Sequence, residues 1–538
     1  MEAASTSQPG RLRANLLANF LGRAWAMLAG IAFVPLYLKF LGVSAYGLIG
    51  VYLSLLVVLT VAGFGLSATL SRETARLAAR RKDWPALRDT LRTIEITYGA
   101  LVGAAVIILF ACAGPIAHHW IQVSGVSEET VIRSVRLMAL TIAGQFMVNL
   151  YEGGLIGLER QVLLNVLRVS MGILQSVGAI LLLWLVSPTI ETYFGWQLLT
   201  TGVLAVGLRW LVWKNLPGAS TESSFRISIL QRVWRYSAGM VGLTVTAVII
   251  GETDKLVVSR VLPLEILGYY TIAWTLARIP LTLVAPIAQA FFPRLVKLTA
   301  ICDRHQTVQT YHRACQFIAV LAFPVLAMLC VYSRECLILW LGKSVSVSHM
   351  EVLLSIIVVG TGAQALAQLA HTLQLANGWP MLSVWLNVGT AACSVPLTIG
   401  LTLSLGVPGA AMASALLSFG GAAIAVALIH RRFLPGEGHR WLIYDLSIPG
   451  CAAILSVLLA RALVPRATIE AFSRPVLFFF LTGVWLTVTA CVLVTVPRIT
   501  VSLFEEFRSR LKKRSAAPSE QLEQSPPHPS LRSRRPAA

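Results

Sequence analysis

Apolar runs of about 20 residues recur along the whole chain, separated by short polar segments. A helix of that length matches the hydrocarbon thickness of a bilayer. Roughly fourteen such spans are predicted, at residues 12–38, 46–70, 93–117, 134–157, 162–186, 192–213, 236–261, 267–292, 314–333, 350–376, 382–404, 408–429, 442–462 and 475–497. The connections are short, so successive helices are expected to be antiparallel neighbours. The predicted class is all-α, a polytopic membrane protein.

Composition agrees. Of the 538 residues, 56% are hydrophobic and 13% charged, against about a quarter charged in soluble domains. The mean hydropathy is +0.73. The net charge of +20 does not point to nucleic acid, because the basic residues gather at helix ends and in the tail. Alternate loops are rich in Lys and Arg: Arg72 to Arg92, then Lys214 to Arg235, then Arg294 to Arg304, then Arg431 to Arg440. The loops between them hold few. This asymmetry predicts that both termini are cytoplasmic. The first run is long enough to span and reads as an uncleaved anchor. The eight cysteines form no CxxC pair and read as small core residues. Residues 71–92 mix leucines, a Trp and many arginines, which predicts an amphipathic helix at the headgroups.

A repeat of about 221 residues organises the chain. KFLGVSAYGLIGVYLSLL, from Lys39, aligns with RVLPLEILGYYTIAWTLA, from Arg260. Lys39 then matches Arg260, Gly47 matches Gly268, and Gly157 matches Gly378. The two copies have the same orientation, so they predict two six-helix lobes about an axis along the membrane normal. The chain divides into a cytoplasmic segment 1–11, an N-lobe 12–214, a cytoplasmic linker 215–235, a C-lobe 236–432, two additional helices 433–497, and a basic, disordered cytoplasmic tail 498–538.

Polar residues inside the spans are the candidate chemistry. The fourth span carries Gln145, Asn149 and Glu152, and the tenth Gln364, Gln368 and His371. Spacing i, i+4, i+7 puts each trio on one helix face. Such a stripe either lines a cavity or makes interhelical hydrogen bonds. The segment IIGETDKLVVSRVL carries Glu252, Asp254, Lys255 and Arg260. Glu252 and Lys255 are spaced to pair on one face, and Arg260 can snorkel from the rim. Arg23 and Arg278 fall near the middle of the first and eighth spans, and Arg168 nearer the cytoplasmic end of the fifth. A charge at the bilayer centre costs about 3 kcal/mol or more, so these groups need a partner, water or an anionic ligand. Two readings stand: an ion network locking helices together, or a wet cleft whose cations bind an anionic headgroup such as a pyrophosphate.

Residues 253–298 carry Asp254–Lys255, Gly268–Tyr269 and Pro293–Arg294 in order, and 405–422 read LGVPGAAMASALLSFGGA. These resemble the polysaccharide-transport branch of the multidrug/oligosaccharidyl-lipid/polysaccharide exporter superfamily, over about residues 12–497. The resemblance implies a MATE-like fold with a cationic cleft and alternating access. It implies a flippase moving an undecaprenyl-pyrophosphate-linked oligosaccharide across the bacterial inner membrane for polysaccharide biosynthesis. Its partners would be that lipid-linked glycan, membrane lipids and polysaccharide polymerase machinery. No cofactor is expected, with H⁺ or Na⁺ as the coupling ion through Glu252 and Asp254. Arg23, Lys255, Arg168 and Arg278 are the candidate substrate-binding residues.

A multidrug or cation antiporter, or another lipid flippase of the superfamily, is the alternative. Acidic, apolar cavities suit drug cations, so these basic side chains argue against the antiporter if they face the cleft. A glycan-processing membrane enzyme is a third reading. It fits less well, because the outer loops are short and hold no DxD, GxSxG, Walker or HExxH pattern. His118–His119, in an outer loop without carboxylate support, is expected to be solvated rather than metal-bound.

Overall fold

A computed structural model describes residues 22, 25, 28–63, 65–78, 84–122, 125–158, 160–216, 223–342 and 347–496. Arg23, segment 1–11 and tail 498–538 lie outside the described residues. Within them the chain is helical, with one isolated bridge between Gln122 and Pro263.

The first lobe runs through α1 (Val34–Leu59), α2 (Leu66–Ala78), α3 (Trp84–Ala111), α4 (Glu128–Gly157), α5 (Gln161–Leu185) and α6 (Ile190–Lys214). Within α1 the helix breaks at Gly42, whose φ of 78° and ψ of 171° end one pass and begin the next. An L side chain there would be strained, and glycine is not. The second lobe follows as α7 (Ile227–Val261), α8 (Leu264–Ala277), α9 (Ile279–Ala300), α10 (Arg304–Val331), α11 (Ser333–Leu341), α12 (Ser348–Ala376), α13 (Met381–Leu405) and α14 (Val407–Phe433). Two further helices close the chain, α15 (Gly438–Leu463) and α16 (Arg474–Val494).

Eleven helices among the described residues are long and apolar enough to cross a bilayer. The helices α6 and α7 are as long but more polar, and the break at Gly42 divides α1. Together these account for about fourteen passes. Large apolar side chains on the outer faces, such as Trp184, Val206, Leu403 and Phe479, are exposed as lipid contact requires.

The lobes meet where α1 packs on α8. A Cβ added to Gly47 would lie 2.4 Å from the Leu264 carbonyl oxygen, and one added to Gly268 would lie 2.5 Å from that of Val43. In the 221-residue register Val43 corresponds to Leu264 and Gly47 to Gly268, so the contact is reciprocal. Reciprocity of this kind is the signature of a two-fold axis. Gly50 abuts the hydroxyl of Thr271, its own counterpart, which places that contact on the axis. Equivalent depths meet, so the two helices run parallel and the axis runs along them, across the membrane. Small residues permit such close backbone approach between membrane helices.

Residues 71–92 are not a separate surface helix. Their first part is the end of α2, packed so closely on α4 that a Cβ on Gly153 or Gly157 would lie 2.6 Å from the Ser67 or Ser71 carbonyl oxygen. Their last part opens α3; residues 79–83 lie outside the described residues. Thr74 packs on Gly157 of α4 and Leu77 is buried, which takes up the face that a headgroup helix would turn to the lipid.

The last two helices pack on α10 through an apolar cluster of Ala327, Met328 and Tyr332 with Val457, Leu481 and Val488. Polar contacts reinforce it. Arg461 pairs with Glu335 at 2.7 Å, and buried Asp445 holds His312 Nδ1 and, at 3.0 Å, Gln316.

Candidate functional site

The charged stretch of α7 folds into a sealed cluster between the lobes. Lys255 Nζ lies 2.8 Å from Glu252 Oε2. Ser54, from α1 of the other lobe, donates to the same oxygen at 2.8 Å. Asp254 accepts from the Lys255 backbone N–H at 2.9 Å, from the Tyr270 hydroxyl at 2.6 Å and from the Trp274 indole at 3.1 Å. Glu252, Asp254 and Lys255 are 3%, 4% and 7% exposed. A buried charge is tolerated only when paired or fully hydrogen-bonded: Glu252 and Lys255 pair with each other, and Asp254 is held by three hydrogen bonds. Hence an apolar span accommodates them. The Lys255 ammonium is paired with Glu252 and buried in this arrangement.

Arg278 differs. It sits at the bend between α8 and α9, about 21 Å along the combined helix at 1.5 Å per residue, and is exposed. Its guanidinium lies 5.4 Å from the Trp274 ring centroid, and Lys255 Nζ lies 5.6 Å from the same ring. Among the described residues no carboxylate pairs with it. It is a mid-membrane cation whose neighbour is an aromatic face.

Arg168 on α5 grips Glu152 of α4 through two parallel bonds, Nε to Oε1 at 2.6 Å and a terminal nitrogen to Oε2 at 2.5 Å. Arg168 also lines a cavity of about 760 Å³ inside the first lobe. Gln145 donates to Asn149 on its own helix at 3.2 Å. In the second lobe Gln364 donates to Ser418 of α14 at 2.9 Å and His371 meets Ser383 of α13 at 3.2 Å, with Gln368 half-buried between them. The second stripe thus makes interhelical hydrogen bonds, whereas the first ends at the cavity's ion pair.

Several groups carry no signal in the spacing of a single span. Glu95 accepts from Tyr151 and Arg209, both at 2.5 Å. Asp89 binds the backbone of Ser224 at 2.8 Å and Arg226 at 2.9 Å, which ties residues of the interlobe connection to α3. His312 is clamped between Asp445 and Glu437. The repeat offers a way to find some of them. In its register Glu95 falls on Gln316 and Arg209 on His430; Glu95, Gln316 and His430 are buried, and Arg209 reaches Glu95 from the exposed side. His118 is not left to solvent alone: its Nδ1 pairs with Glu128, because the helix that starts at Glu128 brings its first turn beside the 116–120 turn.

A family model described as polysaccharide biosynthesis protein matches residues 38–348, more than half of the chain. The chain belongs to the polysaccharide biosynthesis protein family. Comparison with curated proteins finds no match. Among solved structures, this family member resembles the lipid II flippase MurJ in an inward closed conformation, at 14% identity and a TM-score of 0.65, over 88% of this chain and 98% of that one. It also resembles an inward-facing multidrug resistance MATE family transporter of the MOP superfamily, at 14% identity and a TM-score of 0.60, over 76% and 94%. The MATE multidrug transporter DinF-BH aligns at 14% identity and a TM-score of 0.54, over 80% and 97%. These likenesses show a shared fold.

Proposed function

We propose that this polysaccharide biosynthesis protein is a flippase that moves a lipid-linked oligosaccharide, carried on an undecaprenyl pyrophosphate, from the cytoplasmic to the outer leaflet of the bacterial inner membrane by alternating access. Arg278 carries the reading: an exposed mid-span guanidinium without a carboxylate partner among the described residues. A planar fork of donors suits pyrophosphate oxygens. The Arg278 guanidinium lies over the Trp274 ring. Arg23 joins it as a proposal from its position in the first span. Arg168 contributes if the Glu152 pair opens, whereas Lys255 supports the site from behind Trp274. Glu252 is the proposed coupling group, since protonating it would loosen both Lys255 and the Ser54 bond between lobes. Asp254 holds Tyr270 and Trp274 in place.

The test is flipping of a fluorescent pyrophosphate-linked oligosaccharide in proteoliposomes. Arg278→Ala should lose about tenfold or more in rate, consistent with one charge-assisted contact, and Arg278→Lys less. Unchanged flipping in the alanine variant would remove Arg278 from the site. Drug-driven proton exchange without any lipid-linked glycan movement would favour the antiporter, and glycosyl transfer by the purified protein would favour an enzyme.

A further inference from the structure

The cavity of about 760 Å³ in the first lobe falls within the size range of small-molecule sites, roughly 300–1,000 Å³, and its walls have a definite chemistry. One wall is a stripe along α5. Gln161, Asn165, Arg168, Gly172 and Gln175 line it, spaced by four, three, four and three residues, so they share one helix face. From Gln161 to Gln175 the stripe runs about 21 Å along the membrane normal at 1.5 Å per residue. Aromatic rings line the cavity too: Trp25, Tyr37, Tyr46 and Tyr193.

The charge balance is the informative part. Arg168 is neutralised by Glu152, so no unpaired charge stands among the described residues that line the cavity, where amides and rings are mixed with apolar side chains such as Val34, Leu53 and Ile156. A drug cation would be held by an unpaired carboxylate and a phosphate by an unpaired cation, and neither is among those lining residues. The row of amides instead fits an uncharged ligand that carries hydroxyls. Carboxamides donate and accept from adjacent atoms, which matches neighbouring hydroxyls on a sugar ring, and aromatic faces with polar edges cover its C–H surface. Other contacts hold the walls in place. Span 1 approaches so closely that a Cβ on Gly22 would lie 2.4 Å from Asn165 Oδ1. Tyr37 stands beside Ser176 and Tyr193 beside Gln197. Tyr46 stands beside Thr275, one turn before Arg278, so the cavity adjoins the helix that carries the unpaired cation.

We propose that this cavity is a glycan subsite that receives neutral sugar residues, with Gln161, Asn165, Gln175 and Gln197 reading hydroxyls and the tyrosines and Trp25 as platforms. The assignment deepens the flippase reading and rests on it for the identity of the cargo. Sugar then occupies the first-lobe cavity while Arg278 holds the pyrophosphate; Arg168, on the cavity wall, reaches an anion only if its Glu152 pair opens.

Binding of lipid-free neutral tri- to hexasaccharides on a glycan array tests it, using purified full-length protein in detergent. The wild type should bind a subset of them. Gln161→Met and Gln175→Met should each weaken binding about tenfold, as loss of one or two neutral hydrogen bonds does. The lipid-facing control Val206→Ala should bind as wild type, and melting temperatures in detergent separate lost binding from lost fold. Equal binding by wild type and both glutamine variants overturns the placement. Absence of glycan binding by well-folded wild type overturns the sugar assignment, as does binding of a cationic rhodamine dye that both variants abolish. Glycan binding at this cavity without lipid-linked flipping would leave the subsite standing and sink the flippase reading.

Discussion

Gly47 and Gly268, 221 residues apart, each abut the backbone of the helix that carries the other. The nearest carbonyl oxygens would stand 2.4 and 2.5 Å from an added Cβ. Duplication thus survives as a physical interface, with the two lobes joined along their pseudo-two-fold axis by contacts that only the smallest side chain allows.

Substituting either glycine tests that interface. The obstructing atoms are backbone oxygens, which cannot swing aside, so α1 and α8 must separate. Gly47→Ala and Gly268→Ala should each destabilise by about 1–3 kcal/mol, the usual cost of overpacking. Because the sites are equivalent, their melting temperatures in detergent should fall by similar amounts. Because they share one interface, the double variant should cost less than the sum. An unshifted melting temperature in both single variants would refute the close packing.

The cluster at Ser54, Glu252 and Lys255 makes a different prediction. Lys255→Met leaves the Glu252 carboxylate buried with only the Ser54 hydroxyl as donor, a change that costs about 3–5 kcal/mol. Adding Glu252→Gln removes the stranded charge and should restore most of the stability. If Glu252 couples ion movement to transport, this folded double variant flips substrate without responding to an ion gradient. Retained gradient dependence excludes it, and the same assay on Asp254→Asn decides for Asp254.

How much of this was legible in the sequence depends on what each residue reports. Hydropathy shows the spans and the repeat because bilayer thickness imposes a run length. Charges inside apolar runs stand out, so Arg278 and the Glu252–Lys255 stretch were visible. Direction was not: spacing alone lets Lys255 meet Glu252 or face a cleft, and only the packing of Ser54 and Trp274 decides. The α5 amide stripe was missed because Gln161, Asn165 and Gln175 are uncharged and interleaved with leucines and valines. The His312–Asp445 contact joins residues 133 positions apart, beyond the reach of any helical period.

That contact predicts how the last two helices dock. His312 and Asp445 are 1% and 3% exposed, and Glu437 approaches the other ring nitrogen at 3.1 Å. His312→Ala leaves Asp445 with the Gln316 amide as its remaining side-chain donor. The N-terminal end of α15 should loosen first, while the apolar cluster on α10 holds the other end. Limited proteolysis between Phe433 and Trp441 should accelerate in this variant, and Asp445→Asn, which retains a hydrogen-bonding group of the same shape, should be cut more slowly. Equal cleavage of wild type and His312→Ala would show that the contact does not anchor the helix.

A final pair of bonds crosses between the lobes at the proposed outer face. The Trp120 indole donates to Ser259 of α7 at 3.0 Å, and the Trp340 indole donates to the Ile31 carbonyl of the first pass at 2.8 Å. Each tryptophan follows the third pass of its own lobe and reaches the first pass of the other, so the two bonds are near-equivalents under the repeat. Gln122 adds a backbone bond to Leu264 at 3.0 Å. The proposed alternating access requires this face to part, so both indoles must release. Trp120→Phe and Trp340→Phe keep the apolar ring and delete only the donor, each removing about 1 kcal/mol from the closed state. The double variant should therefore populate the outward-open form about tenfold or more over wild type, since about 1.4 kcal/mol is one factor of ten. In a background with the eight native cysteines replaced, a cysteine at Ile49, which lines the cavity, should react faster with an impermeant maleimide added from outside. Labelling that is no faster in the double variant would show that these bonds do not hold the outer face shut.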